Sequence, residues 1–498
     1  MNRKKKFVLN TGLSFLKEIV VLICGFVLPR QLLLYFGSEV NGLVSSITRF
    51  LSIIALLESG IGPVVQACLY KPLAEKNKEE LSIIVSAAEK FYRRIAYIFL
   101  AYIAILAIVY PSVKTEYDWL FTSSLILIIS ISTFMQYYFG IAYRAVLSAD
   151  QRVYFNSFLS ILATVANTVI CVVLMHIGCS IHIVKLASSL VFVVNPLIQY
   201  GYVKKHYDIN TKIKYSGEPI KQKWNGLIQH LAGVVNAETD VFLLTFLGSL
   251  TSVSIYTVYL QVITGVENII MTASNGIDSL WGNMYAKREI NLLNKTFAAV
   301  EFAIHASVTA LFSSTAVLIV PFVSVYTRGI NDANYAVPIF GMILTFAYGA
   351  ICLRVPYFRI IKVAGHFKET QIGSIIAMIL NIVFSLALVR RYQLNGVAVG
   401  TLVAMLFHTC YLANYIRTRI LNRPIWLFIK HMIVDLITGA AGILLTRSFT
   451  LGSQTYGSWI LLGLKVAIII FPLVFLVNIL VYREDANTLL GYFKRRRA

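Results

Sequence analysis

The sequence "YFRIIKVAGHFKETQIGS" (357–374) places Arg359 at the end of a long apolar segment and follows it with a short polar turn. The stretch "AYRAVLSADQRVYFNSF" (142–158) has the same arrangement around Arg144, 215 residues earlier. In both places another apolar segment follows the turn. Apolar segments of about 20 residues that are separated by short polar turns predict a chain that crosses a membrane repeatedly.

The composition agrees with this prediction. Of the 498 residues, 58% are hydrophobic and 13% are charged, whereas soluble domains carry about 25% charged residues. Apolar windows predict an all-α polytopic membrane protein with about 14 spans. Their approximate limits are 8–36, 43–70, 83–110, 119–143, 154–176, 183–203, 225–247, 253–275, 297–325, 336–358, 371–389, 397–416, 425–446 and 458–481.

The basic residues are distributed unevenly between alternate loops. If the N-terminal "MNRKKK" is cytoplasmic, the loops and tails on that side hold 29 of the 44 Lys and Arg, and the opposite loops hold 5. Such an excess predicts that both termini are cytoplasmic. It also explains the net charge of +21 without nucleic acid, so we expect the lipid bilayer and no nucleic acid as a partner.

The first apolar run argues against a cleavable signal peptide, and the cysteines argue against a metal site or a disulfide framework. The run is longer than the apolar region of a signal peptide and lacks an A-x-A-like end, so we expect no cleavable signal peptide. The six cysteines lie mostly in apolar segments without C-x-x-C spacing. They are interpreted as buried small residues rather than metal ligands or disulfides.

The two quoted stretches belong to an internal repeat. Superposing Arg144 on Arg359 also pairs Ala149 with Ala364, and "SGIGPVVQACLYK" (59–71) pairs with "SNGIDSLWGNMYAK" (274–287) at a shift of 216. "FGS" (36–38) pairs with "LGS" (247–249). Six predicted spans separate the copies, so the repeat predicts two pseudo-symmetric six-helix lobes in the same orientation.

This repeat divides the chain into four predicted parts. They are an N-terminal six-helix lobe (1–203), a basic cytoplasmic linker (204–224), a C-terminal six-helix lobe (225–416), and two additional transmembrane helices with a basic cytoplasmic tail (417–498).

Charged residues within the predicted spans are the candidate functional residues. A charge near the bilayer centre costs roughly 2.5–3.5 kcal/mol on insertion scales, so each needs a partner, a wet cavity or a function. The first two spans of each lobe hold most of these charges and are predicted to line a cavity between the lobes. The charges are Lys17, Arg30, Arg49, Lys185, Arg354, Lys465, Glu18, Glu58, Glu238, Asp240, Glu267 and Asp435. Lys185 and Lys465 lie close enough to the external ends of their spans to reach the interface, so they are left out of the predicted site.

The basic candidates each have a structural alternative. Arg30 is either a residue that reaches the external interface or an anion ligand, and Arg49 is either part of an ion pair or a cavity-lining residue. Arg354 lies near the inner end of its span. Arg144 and Arg359 lie at cytoplasmic helix ends, where the helix dipole and the positive-inside bias also favour a base.

The acidic candidates are predicted to serve ion coupling or charge pairing. Glu58 precedes "SGIGP" (59–63), where a broken helix would expose carbonyls to a cation or a proton; the alternative is a kink with Glu58 paired to Arg49 or Lys17. Glu238 and Asp240 point to different sides of one helix. Their spacing and that of the remaining acids, Glu18 and Glu267, do not form a compact metal site.

Enzyme signatures are not evident in the sequence. It contains no Walker motif, no G-x-S-x-G and no H-E-x-x-H, so we expect neither catalysis nor a bound cofactor. Directed transport would then draw on a Na+ or H+ gradient, on the membrane potential or on the consumption of product.

Several stretches together resemble the polysaccharide flippases of the multidrug/oligosaccharidyl-lipid/polysaccharide exporter superfamily. The resemblance extends over essentially the whole chain and is a matter of pattern rather than of a catalytic motif. The stretches are "FGSEVNGLVSSITRFLSIIALLESGIGPVVQACLYKPLAEKNKEEL" (36–81), "DVFLLTFLGSLTSVSIYTVY" (240–259), "SNGIDSLWGNMYAK" (274–287), "PFVSVYTRGINDANY" (321–335) and "LRVPYFRIIKVAGHFKETQ" (353–371).

The resemblance implies a bacterial inner-membrane protein that moves an undecaprenyl-pyrophosphate-linked oligosaccharide to the external leaflet by alternating access. The product would serve O-antigen, capsule or exopolysaccharide synthesis, with the polysaccharide polymerase machinery as a partner. The resemblance also implies a basic cavity for pyrophosphate and glycan, to which Arg30, Arg49 and Arg354 would contribute. The alternatives are a cation-coupled multidrug exporter of the same superfamily and a lipid II flippase.

Overall fold

The computed structural model describes residues 3–54, 58, 61–114, 116–211, 213, 217, 219 and 227–495. All regular secondary structure in these residues is helical, which confirms the predicted all-α class. Within the predicted linker 204–224, residues 212, 214–216, 218 and 220–224 lie outside the described residues. The chain forms two compact units, residues 1–234 and 235–498.

The N-terminal unit consists of long helices joined by short turns. A π-helical turn, Gln136–Gly140, connects α4 to α5 without interruption. The helices are α1 (Arg3–Ser52), α2 (Ile61–Glu75), α3 (Lys78–Val113), α4 (Trp119–Met135), α5 (Ile141–Ala149), α6 (Val153–His176) and α7 (Ile181–Tyr207).

The C-terminal unit has the same sequence of long and short helices and then three more. Its helices are α8 (Leu227–Leu247), which begins just before the unit, α9 (Leu250–Ala273), α10 (Ile277–Ala286), α11 (Ile290–Tyr326), α12 (Pro338–Leu353), α13 (Val355–Ala364), α14 (Phe367–Arg419), α15 (Trp426–Thr446), α16 (Tyr456–Val481) and α17 (Arg483–Arg495).

Eleven helical stretches in the described part of the chain are long and apolar enough to cross a membrane. Two of them, in α1 and α14, are 45 and 53 residues long, about twice the length that one crossing requires. Helix α8 is not among the eleven, but its 21 residues also suffice for one crossing. The chain is therefore a multi-pass membrane protein.

Helices α1 and α14 each contain one non-helical residue that divides them in two. In α1 this residue is Gly37, with φ of 79°, a value that glycine adopts without steric cost. In α14 it is Gln393, with φ of 47°. Helix α14 therefore supplies two of the predicted spans, and α1 supplies the first span and the beginning of the second.

The predicted span 43–70 is divided between two helices. Helix α1 ends at Ser52 and α2 begins at Ile61, while residues 55–57, 59 and 60 lie outside the described part. The predicted break at Gly60 therefore falls on a residue that the structure does not describe. Pro63 occupies the first turn of α2, where its missing N–H costs no helical hydrogen bond.

Helix boundaries recur between the two units at the shift that the sequence repeat predicts. Helices α5 and α13 end at Ala149 and Ala364, and α2 and α10 begin at Ile61 and Ile277. The π-helical turn of the first unit corresponds to the junction between α12 and α13 at Arg354. Each unit therefore places an irregularity at the same point of its fourth span.

Helices α15 and α16 have no counterpart in the first unit and pack on α11. Small residues allow this close approach: a Cβ on Gly439 of α15 would lie 2.8 Å from Ser313 Oγ of α11. Ala306 and Ala310 of α11 form a buried cluster with Val466 of α16. Small residues at helix interfaces strengthen packing inside a membrane, where the hydrophobic effect does not drive association.

We expect Gly400→Ala to destabilise the C-terminal unit. A Cβ at this position would lie 2.1 Å from Ser385 Oγ and 2.7 Å from the Ser385 backbone nitrogen, so the two halves of α14 would have to separate. Overpacking of this kind costs about 1–3 kcal/mol. The measurement is the midpoint of thermal unfolding in nanodiscs. Gly463→Ala is the control, because the nearest atom to its Cβ is 3.8 Å away; equal midpoints for the two variants would contradict the packing.

Candidate functional site

A polar cavity lies among the helices of the N-terminal unit. Its volume is about 440 Å³. Five helices and the π-helical turn contribute to its wall. The lining residues are Lys17, Ser132, Gln136, Gly140, Arg144, Ser148, Val153, Asn156, Ser157, Ser160, Phe192, Asn195, Pro196 and Gln199.

The π-helical turn forms part of the cavity wall and fits closely against α7. A Cβ on Gly140 would lie 2.9 Å from Pro196 Cβ, so glycine is needed for this approach. Such turns contain one more residue per hydrogen-bonded turn than an α-helix and are frequent at functional sites. Together, Gly140 and the turn bring Gln136 and Arg144 to the same cavity.

An amide network holds the cavity wall in place. Gln199 Nε2 of α7 donates to Asn156 Oδ1 of α6 at 3.2 Å. Asn156 Nδ2 is in turn 3.4 Å from the Arg144 carbonyl oxygen and 3.3 Å from Ser148 Oγ, both on α5. One asparagine therefore links three helices, and no sequence motif around Asn156 indicates this role.

Two cations, Lys17 and Arg144, line this cavity. Lys17 Nζ is 2.9 Å from Glu18 Oε1, but the Glu18 side chain is 69% exposed, so the pair is weak. Arg144 Nη2 is 3.7 Å from Glu58 Oε1. This contact differs from the predicted pairing of Glu58 with Arg49 or Lys17, because α5 brings Arg144 closer to Glu58.

The chemistry of the cavity favours an anion with further polar groups. None of the described residues that line it is acidic, and its amide and hydroxyl groups share the wall with the two cations. Ionised donors form hydrogen bonds to phosphate oxygens that are roughly twice as strong as neutral ones. The cavity can therefore hold a phosphate group together with hydroxyl-bearing groups attached to it.

The N-terminal part of α1 is fastened to the turn between α5 and α6. Lys6 Nζ donates to the Asp150 carbonyl oxygen at 2.9 Å, and Ser14 Oγ lies 3.3 Å from Ser157 Oγ. Asp150 also receives the Tyr207 hydroxyl at 2.6 Å and lies 2.6 Å from Arg152 Nε. These contacts fix α1, and with it Lys17, against the cavity.

The repeat partner of Arg144 is engaged more tightly in its own unit. Arg359 Nη1 donates to Asp278 Oδ1 at 3.0 Å, and Lys362 Nζ donates to Asp278 Oδ2 at 2.9 Å. Asp278 lies in the first turn of α10, where the helix dipole favours an acid. In both units the arginine thus contacts an acid next to the start of a short helix, but the distance is shorter for Arg359, at 3.0 Å, than for Arg144, at 3.7 Å.

Arg354 also has a partner that the sequence analysis missed. Its Nη1 lies 2.6 Å from His408 Nδ1 of α14, and the Glu267 carboxylate is near enough to attract it. His408 Nε2 is 3.4 Å from Ser374 Oγ. A single histidine among apolar residues carries no sequence signal, so only the fold brings Arg354 and His408 together.

The acids Glu238 and Asp240 of α8 are both buried. Asp240 Oδ2 accepts hydrogen bonds from the Tyr256 hydroxyl at 2.7 Å and from Thr401 Oγ1 at 2.6 Å. Neutral donors satisfy a carboxylate without cancelling its charge. This part of the C-terminal unit therefore suits a proton or a small cation.

The remaining predicted site residues lie in α1 outside the cavity lining. Arg30 and Arg49 are half-buried, and Glu18 is exposed. The structure thus brings Lys17 and Arg144 together, joins Arg144 to Glu58, and places Arg354, Arg359 and Asp240 in separate clusters.

Comparison with known proteins yields similarity of fold. No protein-family model and no curated protein matches the sequence. The solved structure of the lipid II flippase MurJ in an inward closed conformation matches with a TM-score of 0.68 at 15% identity, over 93% of this chain and 98% of that one. The likeness covers nearly the full length of both proteins.

Two further solved structures have the same fold. An inward-facing multidrug resistance MATE family transporter of the MOP superfamily matches with a TM-score of 0.59 at 15% identity, over 83% of this chain and 97% of that one. A MOP superfamily transporter from Pyrococcus furiosus gives 0.56 at 14% identity, over 84% and 95%. At these identities the likeness establishes a shared fold.

We expect Lys17→Gln and Arg144→Gln each to weaken binding of inorganic pyrophosphate about tenfold or more. Each removes a charged donor from the cavity, and hydrogen bonds to charged groups contribute about 1.5–3 kcal/mol. Isothermal titration calorimetry in nanodiscs measures the affinity. Lys78→Gln is the matched control, because Lys78 is exposed and pairs with Asp208 at 2.8 Å. Affinities that match the control would contradict an anion site in the cavity.

Proposed function

We propose that the protein is a flippase that moves an undecaprenyl-pyrophosphate-linked oligosaccharide from the cytoplasmic to the external leaflet of the bacterial inner membrane by alternating access. The product would supply synthesis of a cell-surface polysaccharide. The observation that carries this proposal is the polar cavity, which Lys17 and Arg144 line together with amides and hydroxyls and whose described lining residues include no acid.

The chemistry of the cargo matches the chemistry of the cavity. A diphosphate headgroup loses its hydration when it leaves water, and fixed guanidinium and ammonium groups replace that hydration by charge-assisted hydrogen bonds. Sugars present many hydroxyl groups, for which Asn156, Gln199 and the serines of the wall are suitable partners. The exposed part of Arg144, 43% of its side chain, leaves room for a ligand.

The other predicted basic residues are weaker candidates for binding the headgroup than Lys17 and Arg144. Arg359 is already held by Asp278, so we assign it mainly to the packing of the α10 and α13 helices. Arg354, Arg30 and Arg49 remain proposed ligands for the pyrophosphate or glycan along the path. The fold that the chain shares with a lipid II flippase supports lipid-linked cargo as a class, and lipid II itself is the alternative cargo within that class.

A cation-coupled multidrug exporter is the second candidate function. The buried carboxylates Glu238 and Asp240 favour it, because buried acids suit organic cations or coupling ions. The shared fold with a multidrug resistance transporter is equally compatible with it. The acid-free cavity around Lys17 and Arg144 favours the flippase, since two fixed cations oppose a cationic drug.

Asp240 is the proposed coupling site for Na+ or H+ in either case. It is 2% exposed, and its Oδ2 accepts hydrogen bonds from the neutral hydroxyls of Tyr256 and Thr401. A carboxylate without a paired cation is stabilised when it takes up a proton or a cation. Glu58 and Glu267 are already near Arg144 and Arg354, so we assign them to charge pairing.

We expect the protein to move a fluorescent undecaprenyl-pyrophosphate oligosaccharide between leaflets of proteoliposomes. Arg144→Gln and Lys17→Gln should each slow this movement about tenfold or more, because each loses a charged hydrogen bond to the headgroup. Lys78→Gln again serves as the control. Absence of movement together with efflux of small organic cations would support the exporter instead. The same assay with fluorescent lipid II distinguishes the two lipid-linked cargoes.

We expect Asp240→Asn to abolish the dependence of translocation on an imposed ion gradient. The amide keeps the size of the side chain and an oxygen that accepts hydrogen bonds from Tyr256 and Thr401, but it takes up no proton and has no negative charge to attract a cation. The measurement compares initial rates with a Na+ gradient, with a pH gradient and with neither. Glu369→Gln, an exposed acid in the first turn of α14, is the control. A gradient response that persists in Asp240→Asn would exclude this site.

A further inference from the structure

The C-terminal unit contains a buried chain of four titratable side chains, far in sequence from the cavity residues. Glu301 and His305 lie on α11, Tyr357 on α13, and Asp435 on α15. Their exposures are 0%, 0%, 1% and 8%. The chain therefore connects three helices, one of which belongs to the added pair.

Three short hydrogen bonds join these side chains in a row. His305 Nδ1 lies 2.6 Å from Asp435 Oδ2, and His305 Nε2 lies 2.9 Å from the Tyr357 hydroxyl oxygen. The Tyr357 hydroxyl lies 2.7 Å from Glu301 Oε1. Each of these distances is within the normal range for a hydrogen bond.

The three hydrogen bonds of the row need one more proton than the four side chains carry in their ordinary ionisation states at pH 7. Each of the three hydrogen bonds needs one proton. Two ionised carboxylates donate none, a neutral imidazole donates one, and a phenol donates one. The third proton must therefore be an additional one, which resides on His305 or on one of the two carboxylates.

The neighbouring charges favour a position for the additional proton between His305 and Asp435 rather than on Glu301. Arg423 Nη2 is 2.5 Å from Glu301 Oε2, so Glu301 is stabilised as an anion. Asp435 Oδ1 accepts a hydrogen bond from the neutral Thr309 hydroxyl at 2.8 Å. An imidazolium on His305 then supplies the positive charge that the buried Asp435 carboxylate requires.

Other titratable groups surround the row, and they do not replace this proton. His431 Nε2 of α15 lies 3.7 Å from Glu301 Oε2. The His431 ring stacks on the Tyr482 ring, with 4.1 Å between the ring centroids. Lys430 Nζ lies over the Tyr482 ring at 4.6 Å. Asp485 follows on α17, where burial and the nearby Glu301 raise the pKa of its carboxyl.

The charges of the row balance with the added proton present. Glu301 and Asp435 contribute two negative charges, and Arg423 and a protonated His305 contribute two positive ones. Without the proton, one negative charge stays buried among three helices. Breaking a buried ion pair in this way is strongly destabilising, because one charge is left uncompensated.

We propose that Asp435, His305, Tyr357 and Glu301 form a proton-binding site that holds one proton and fastens α15 to α11 and α13. Loss of the proton would weaken the attachment of α15. Helix α16, which contacts α11 through apolar side chains, would be less affected. This site is independent of the cargo and of Asp240.

The charge of His305 is measured directly by nitrogen NMR of the full-length protein in nanodiscs, with 15N-labelled histidine. At pH 7 we expect both ring nitrogens of His305 to be protonated. The His305→Gln spectrum identifies the signal by its absence. A neutral His305 in the wild type would overturn the proposal. The proposal would also fail if the doubly protonated ring belonged to His431, whose signal is identified by its absence in His431→Gln.

Two isosteric variants keep the test informative if His305→Gln folds poorly. Asp435→Asn retains the shape of the side chain but removes the negative charge, so we expect His305 to become neutral at pH 7. Asp332→Asn, in the connection between α11 and α12, should leave it charged. A doubly protonated His305 that persists in Asp435→Asn would show that Asp435 does not retain the proton.

Hydrogen exchange tests the attachment of α15. When the pH is raised until the His305 signal becomes neutral, we expect amide exchange of 426–446, corrected for its intrinsic pH dependence, to accelerate at least about tenfold relative to 456–481. A tenfold change corresponds to about 1.4 kcal/mol. Asp435→Asn should remove this response. Equal acceleration of both helices, or none, would contradict the fastening role. Failure of lipid translocation would leave these results unaffected.

Discussion

The rule that a membrane-embedded chain must satisfy its own polar groups governs this structure. Lipid offers no hydrogen-bond partners, so the described backbone is helical and helix breaks fall where they can be accommodated. The same rule governs side chains. Arg359 is matched by Asp278, Arg354 by His408 and Glu267, and Glu301 by Arg423. Against this background the polar cavity of the N-terminal unit differs, because its two cations have only weak or long contacts with acids: Lys17 with the exposed Glu18, and Arg144 with Glu58 at 3.7 Å.

The two units use a repeated helical framework for different chemistry. In the first, the irregular fourth span opens onto the cavity through Arg144. In the second, the corresponding irregularity carries Arg354, whose guanidinium contacts a histidine. The added helices α15 and α16 rest on α11, and their attachment combines small residues with a buried polar row. Repetition of the framework therefore does not require repetition of the binding chemistry.

Much of the fold could be predicted because hydrophobic length and the repeat are local properties of the sequence. The predicted spans lie on helices, and the shift of 215 residues between Arg144 and Arg359 recurs in the helix ends at Ala149 and Ala364. The site was less accessible to prediction. Asn156, His305 and His408 carry no motif, and Glu58 lies near Arg144 through folding rather than sequence proximity. Pairings among distant polar residues depend on rotations of helices that hydropathy does not determine.

The π-helical turn at Gln136–Gly140 sets the angular register of everything that follows it in the span. An α-helix advances about 100° per residue, because a full turn takes 3.6 residues. Shortening this turn by one residue would therefore swing Arg144 about 100° around the helix axis, away from Lys17. The positive charge of the cavity thus depends on a count of residues as much as on the arginine itself. An insertion or deletion here would change what the cavity accepts without altering any lining side chain.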